Sequence, residues 1–217
     1  MMKSAIIYCN GSPIKKVIFQ KIKTKYNADL IAADGGTNSI HKIGELPKFI
    51  IGDLDSVNTK ILKFYRNNNV KIIKLSRQSD TDLEKALKLC KRLHYNKIFV
   101  VGFSGKRFDH TLSNISNALK FVSDFQIVMV DNNSTLQFVT GKSSFKSEKG
   151  ELISILCFDP QVKITTENLR YKLNDEHLMF GRRESTSNVS TKENFSLIVK
   201  NGFAVLIRST KNFLKYD

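Results

Sequence analysis

LIAADGGTN (30–38) is an apolar run that ends in an acid, two glycines and the first residues of an amphipathic stretch. A short, continuously apolar run is the pattern of a strand covered on both faces. A helical period takes over at 37–43. The same order recurs. Apolar runs at 5–9, 49–51, 70–75, 98–103 and 126–130 alternate with amphipathic stretches at 15–23, 59–66, 82–93 and 111–122. Repeated β-α-β spacing predicts a parallel sheet joined by right-handed crossovers. One helix start is sharply signalled: Thr81 followed by Glu84 fits a capping box, with Asp82 in the first turn.

The pattern changes near residue 135. Runs at 135–139, 152–158, 162–165, 169–173, 178–180, 195–200 and 203–208 are β-rich and lack a helical period. The dipeptide Asn201-Gly202, between LIVK and FAVLI, predicts a hairpin. The expected fold is α/β plus all-β. A three-layer α/β domain with a mostly parallel sheet spans 1–135, and a β-sandwich domain spans 136–217.

Composition narrows the class. The chain has 217 residues, 41% hydrophobic and 25% charged, which argues against disorder. A net charge of +15 favours anionic partners such as nucleotide, nucleic acid or an anionic membrane. The lysines are dispersed and form no long block, so solvated helix faces account for the charge better than an anionic partner does. Cys9, Cys90 and Cys157 form no CxxC pair and lie in apolar segments, which suggests reduced thiols and a cytoplasmic setting. The first apolar run is too short for a signal peptide, and no stretch is long enough to span a bilayer.

The chemistry is carried by acids. Asp34, Asp53, Asp55, Asp82 and Asp109 each end an apolar run or lie one loop beyond it. In an open α/β sheet the carboxyl ends of the strands form the ligand crevice. Carboxylates gathered there repel one another unless a cation lies between them, and Mg²⁺ binds one or two carboxylates together with substrate phosphates. In IIGDLDS (50–56), Asp53 and Asp55 share one side if the backbone is extended, and both reach one ion. In ADGGTN (33–38), Gly35 and Gly36 either let the backbone approach phosphate or form a tight turn. In GFSGKRFDH (102–110), Arg107 suits a phosphate clamp, and His110 suits helix capping better than a base. RRESTSN (182–188) offers small polar groups to an organic substrate or is a plain polar loop. No P-loop, zinc spacing or nucleophile elbow is present.

Taken in order, ADGGTN, LPKFIIGDLDS (46–56), SRQSDTDLEKAL (76–87), GFSGKRFDH and NLRYKLNDEHLMFGRRESTSN (168–188) resemble the thiamine pyrophosphokinase family. The resemblance covers nearly the whole chain. It departs at Arg77 and Ser79, where the family has aspartates, at Lys106 in place of a glycine, and at Asn168 and Tyr171 in place of Gly and Trp.

The resemblance implies transfer of the β,γ-pyrophosphoryl group of ATP to the hydroxyl of thiamine, giving thiamine diphosphate and AMP. It implies Mg²⁺ on Asp53, Asp55 and Asp82, the catalytic acids, with Asp82 the candidate base. Asp34, Gly35, Gly36, Asn38, Thr81, Arg107, Asp109 and His110 are expected at ATP, and Gln78, Tyr171, Ser187 and Asn188 at thiamine. It also implies a homodimer, with no nucleic-acid or membrane partner. Two rivals are a haloacid-dehalogenase-type phosphatase, whose DxD belongs on the first strand rather than the third, and a basic nucleic-acid-binding protein.

Overall fold

The computed structural model describes residues 3–76, 79–105 and 107–217. The chain is mixed α/β and divides into two units, one ending at Asn132 and one beginning at Asn133.

The first unit alternates strand and helix. Its elements are β1 (Ser4–Tyr8), α1 (Lys16–Tyr26), β2 (Asp29–Ala33), α2 (Gly36–Lys42), β3 (Phe49–Gly52), α3 (Thr59–Asn67), β4 (Lys71–Lys74), α4 (Asp82–Arg92), β5 (Lys97–Val101), α5 (Phe108–Leu119) and β6 (Gln126–Val130). The strands pair in parallel in the order β6-β5-β1-β2-β3-β4. After a polar first residue the central strands β1, β2 and β5 are apolar, and β1 is buried along its whole length. The edge strand β4, KIIK, exposes both lysines, as an unpaired edge requires. After β1 the chain steps to β2, whereas β5 lies on the other side of β1. The loops after β1 and β5 therefore diverge, and this switch point is where open α/β sheets bind ligands.

Two local features fix the geometry there. Thr81 caps α4, its hydroxyl accepting from the Glu84 amide at 3.2 Å. Asp82 and Glu84 in the first turn, with Lys91 and Arg92 in the last, complement the helix dipole. Gly36 begins α2 against β1, where a Cβ would lie 2.0 Å from the Tyr8 carbonyl oxygen. The glycine is needed for close approach and not for a positive φ.

The second unit consists of β7 (Ser134–Lys146), β8 (Leu152–Leu156), β9 (Lys163–Glu167), β10 (Glu176–His177), β11 (Ser185–Val189), β12 (Asn194–Ser209) and a short helix α6 (Thr210–Tyr216). The hairpin expected at Asn201-Gly202 does not form. Residues 194–209 run as one strand, antiparallel to β7 from end to end. The register runs from Val199 opposite Gly141 to Ala204 opposite Val139, five steps against two, so three extra residues bulge out. Three is odd, so the bulge reverses the alternation. Phe195, Leu197 and Val199 before it, and Ala204 and Leu206 after it, all enter one core. The first half of β12 pairs with β9 and the second half with β8. Local turn chemistry signalled a reversal, but an uninterrupted partner strand held the chain extended.

Arg208 is buried near the end of β12. Its Nε and Nη2 donate to the two Glu151 oxygens at 2.8 and 2.9 Å, and Nη2 also donates to the Lys146 carbonyl at 2.7 Å. Breaking such a pair strands a buried charge.

Two predictions follow from this packing. Gly36→Ala lowers stability by about 2 kcal/mol or more, since backbone must move to admit the methyl group, and urea denaturation measures it. Glu151→Ala costs about 3–5 kcal/mol, read from the same midpoint. A loss under about 1 kcal/mol would mean that Asp217, 3.1 Å from Nη1, satisfies the guanidinium by itself.

Candidate active site

The carboxyl ends of the parallel strands open onto a cleft of about 410 Å³. Cys9, Asn10 and Gly11 line it after β1, Ala33 and Asp34 at the end of β2, and Phe103 and Gly105 after β5. Thr81, Asp82 and Leu83 reach it from the start of α4, and Arg107, His110, Ser113 and Asn114 from α5 and its approach.

Three carboxylates converge at this end of the sheet. Ligand oxygens of Asp34, Asp53 and Asp82 all lie within 4.8 Å of one another. Asp34 has φ 42°, a left-handed conformation that Asp tolerates better than most residues. Its amide donates to the Ile51 carbonyl at 2.9 Å, and its own carbonyl accepts from the Thr37 amide and hydroxyl. The neighbouring strand and the first turn of α2 thus hold the strained residue in place. The residue is 4% exposed, and Oδ1 is buried with no hydrogen-bond partner among the described residues. A buried carboxylate oxygen without a donor is costly unless a cation satisfies it.

Gly52 makes room for the cluster. It ends β3 at φ 154°, and a Cβ there would lie 2.9 Å from the Asp34 Cβ and 3.1 Å from Asp82 Oδ1. Lys85 is the one cation among the described residues that pairs with the group. Its Nζ lies 2.9 Å from Asp82 Oδ1 and 4.0 Å from Asp53 Oδ2. Burial pushes the Asp82 carboxyl above the usual carboxylate range; Lys85 opposes the shift, and the charges of Asp34 and Asp53 add to it. Burial and the nearby Asp82 charge push the Cys9 thiol up to about 12, so it stays a neutral wall group. Three hard oxygen donors with one unsatisfied oxygen fit Mg²⁺.

The expected residues fall into several groups. Asp53 and Asp82 are together, joined by Asp34, which was expected at ATP. Asp55 lies outside the group. The argument from alternation needs extended backbone, but Leu54 has φ 68°. The chain turns there, Asp55 donates its amide to Asp53 Oδ1 at 3.3 Å, and its carboxylate accepts from the Ser56 hydroxyl. Thr81, Arg107 and His110 line the cleft, whereas Gly35, Gly36, Asn38 and Asp109 do not. Asn38 instead clamps the turn after β3, donating to the Ser56 carbonyl and accepting from the Asn58 amide. Asp109 pairs with Arg107, which holds its carboxyl below the usual range. Neither Gly35 nor Gly36 has a positive φ, and Gly35 is crowded by the Asn10 side chain. Gln78, like Arg77 and Lys106, lies outside the described residues.

In the second unit, Tyr171 is 62% exposed and Asn188 is 1% exposed. The Asn188 amide group is fully used. Oδ1 accepts from the Tyr171 and Val189 amides, and Nδ2 donates to the Tyr171 carbonyl and Ser185 Oγ. An amide has two donors and two acceptor positions, so Asn188 braces the Tyr171 backbone and has nothing left for a ligand. Ser187 sits at the β11 bulge with φ 54°.

Sequence reasoning missed Gly52, Lys85 and the Cys9–Gly11 turn. The only signal for Lys85 was its spacing of three from Asp82, an ordinary surface pattern on any helix.

Carboxylates at the strand ends of a parallel sheet, beside a cleft at its switch point, define an α/β protein suited to binding phosphates with a divalent cation. Comparison with known proteins makes this specific. A family model described as "Thiamin pyrophosphokinase, catalytic domain" matches residues 22–130, and "Thiamin pyrophosphokinase, vitamin B1 binding domain" matches 142–203. The chain belongs to the thiamin pyrophosphokinase family. It is 31% identical to thiamin pyrophosphokinase 1 of Caenorhabditis elegans, over 88% of this chain and 84% of that protein. It is 30% identical to thiamine pyrophosphokinase 1 of Arabidopsis thaliana, over 77% and 73%. In fold it resembles the crystal structure of the Bacillus subtilis thiamine pyrophosphokinase, with TM-score 0.81 and 24% identity over 95% of this chain and 99% of that one. The Candida albicans enzyme gives TM-score 0.84 at 17% identity over 96% and 89%. Neither the phosphatase nor the nucleic-acid reading finds support among these relatives. Among the described residues no helix is long and apolar enough to cross a membrane.

Asp34→Asn removes a buried charge whose Oδ1 has no partner among the described residues. The metal-free protein is expected to melt about 2–4 °C higher, and added Mg²⁺ no longer to stabilise it. A lower melting temperature would make Asp34 a structural residue.

Proposed function

We infer that this chain transfers the pyrophosphoryl group of ATP to the hydroxyl of thiamine, releasing AMP and thiamine diphosphate. The observation that carries the reading is the convergence of Asp34, Asp53 and Asp82 beside the cleft, with one buried oxygen left unsatisfied among the described residues. Family membership supports the substrates.

In this reading the α/β unit holds ATP and Mg²⁺, and the β unit, a sandwich domain, holds thiamine. Asp34, Asp53 and Asp82 hold the ion, which when bound spreads the negative charge of the phosphates. Asp55 takes no ligand position. The Arg107 guanidinium at the cleft supplies fork-shaped donors to phosphate oxygens, and the Asp109 carboxylate keeps that fork oriented. His110 adds a second polar group on the same wall.

The thiamine oxygen attacks the β-phosphorus as the bond to the α-phosphate oxygen breaks. The hydroxyl proton leaves to a base, and AMP departs. In the metal-free protein burial and the charges of Asp34 and Asp53 raise the proton affinity of Asp82 and Lys85 lowers it; a bound ion would lower it further, so Asp82 serves as a ligand rather than as the base. Tyr171, braced by Asn188, offers an exposed ring suited to the cationic thiazolium. Phe158 and Phe180, with ring centroids 5.4 Å apart, add exposed apolar surface to the same unit. Such surface suits a homodimer.

Purified protein given ATP, Mg²⁺ and thiamine is expected to form AMP and thiamine diphosphate one to one, and to stop with chelator. ADP with thiamine monophosphate would refute pyrophosphoryl transfer. Asp53→Asn and Asp82→Asn are each expected to lower kcat about 100-fold or more. Asp55→Asn is expected to keep divalent-ion binding within about threefold, since its carboxylate is outside the cluster; loss of binding would place Asp55 on the ion.

A further inference from the structure

Lys85 is a buried cation at the carboxylate cluster. It lies one turn into α4, its side chain is 3% exposed, and its ammonium is directed at Asp82 and Asp53. A lysine this deeply buried is rare unless paired. Its partners are the carboxylates assigned to the ion, and its burial keeps it from the cleft, whose lining does not include it. The formal charge of the group is three carboxylates and one ammonium, −3 + 1 = −2. A divalent cation entering it meets a fixed positive charge within the cluster.

We infer that Lys85 is a built-in counter-cation. It weakens divalent-ion binding by the protein alone, so that the ion enters with the phosphates of the nucleotide. The inference rests on the metal reading above and adds an order of binding to it. Without Lys85 the three carboxylates would carry −3, and a lone ion would be held firmly before any nucleotide arrived. With Lys85 in place, phosphate oxygens supply the negative charge that is missing. Lys85 acts through Asp82 and Asp53 and is a positioning residue.

The test is equilibrium dialysis of Mn²⁺ against the whole protein, with and without ATP and in the absence of thiamine. The unsubstituted protein is expected to retain Mn²⁺ weakly alone and at least about tenfold more tightly with ATP. Lys85→Met is expected to bind Mn²⁺ without nucleotide at least about tenfold more tightly, so that ATP adds little. Lys85→Arg, which keeps the charge, should stay within about threefold of the unsubstituted protein. A merely structural salt bridge would leave Mn²⁺ binding of a folded Lys85→Met unchanged or weaker, and either result overturns the inference. Should the methionine variant not fold, the unsubstituted protein still decides, because tight Mn²⁺ binding without ATP overturns it. Absence of protein-bound Mn²⁺ even with ATP would instead refute the metal reading, and the inference with it.

Discussion

Mutual repulsion among three carboxylates is the constraint on which the site depends. Asp34, Asp53 and Asp82 come from the end of β2, the turn after β3 and the first turn of α4. Three separate segments must be held against that repulsion. Parallel pairing of β2 with β3 sets the spacing of the first two, and the cap at Thr81 sets where α4 begins. Gly52 removes the side chain that would separate them. The strain at Asp34 and at Leu54 is located here, where surrounding packing compels it.

The second unit solves a different problem. Its core must be enclosed by two stretches of one strand, because β12 serves both β9 and β8. The bulge at 200–203 makes this possible by restoring the inward phase after an odd insertion. Asn188 then shows how a buried polar residue can serve by bracing. All its hydrogen-bonding capacity is spent on the loop that presents Tyr171, on Ser185 and on the Val189 amide. A buried polar group with every partner satisfied rigidifies its surroundings, which suits a loop carrying an exposed ring.

Much of this was legible in the chain. The alternation of apolar runs with amphipathic stretches determined the parallel sheet, because both faces of such strands must be apolar. The Thr81 to Glu84 spacing determined the start of α4, because capping is local. The position of acids at run ends determined that carboxylates gather at one edge. The ordered motifs determined the family. Tertiary structure alone decided which acids meet. Asp34 joined because β2 pairs with β3 and its own backbone is left-handed, and Asp55 left because another left-handed residue, Leu54, turned the chain where alternation assumed extension. It also decided that Asn201 and Gly202 form a bulge, since β7 spans the position and its pairing outweighs local turn preference. Lys85 became part of the site only through contacts made across the sheet edge with Asp53 as well as along the helix with Asp82. Periodicity and capping are properties of neighbouring residues and can be read from order alone, whereas the meeting of side chains from distant segments depends on backbone angles that order does not specify.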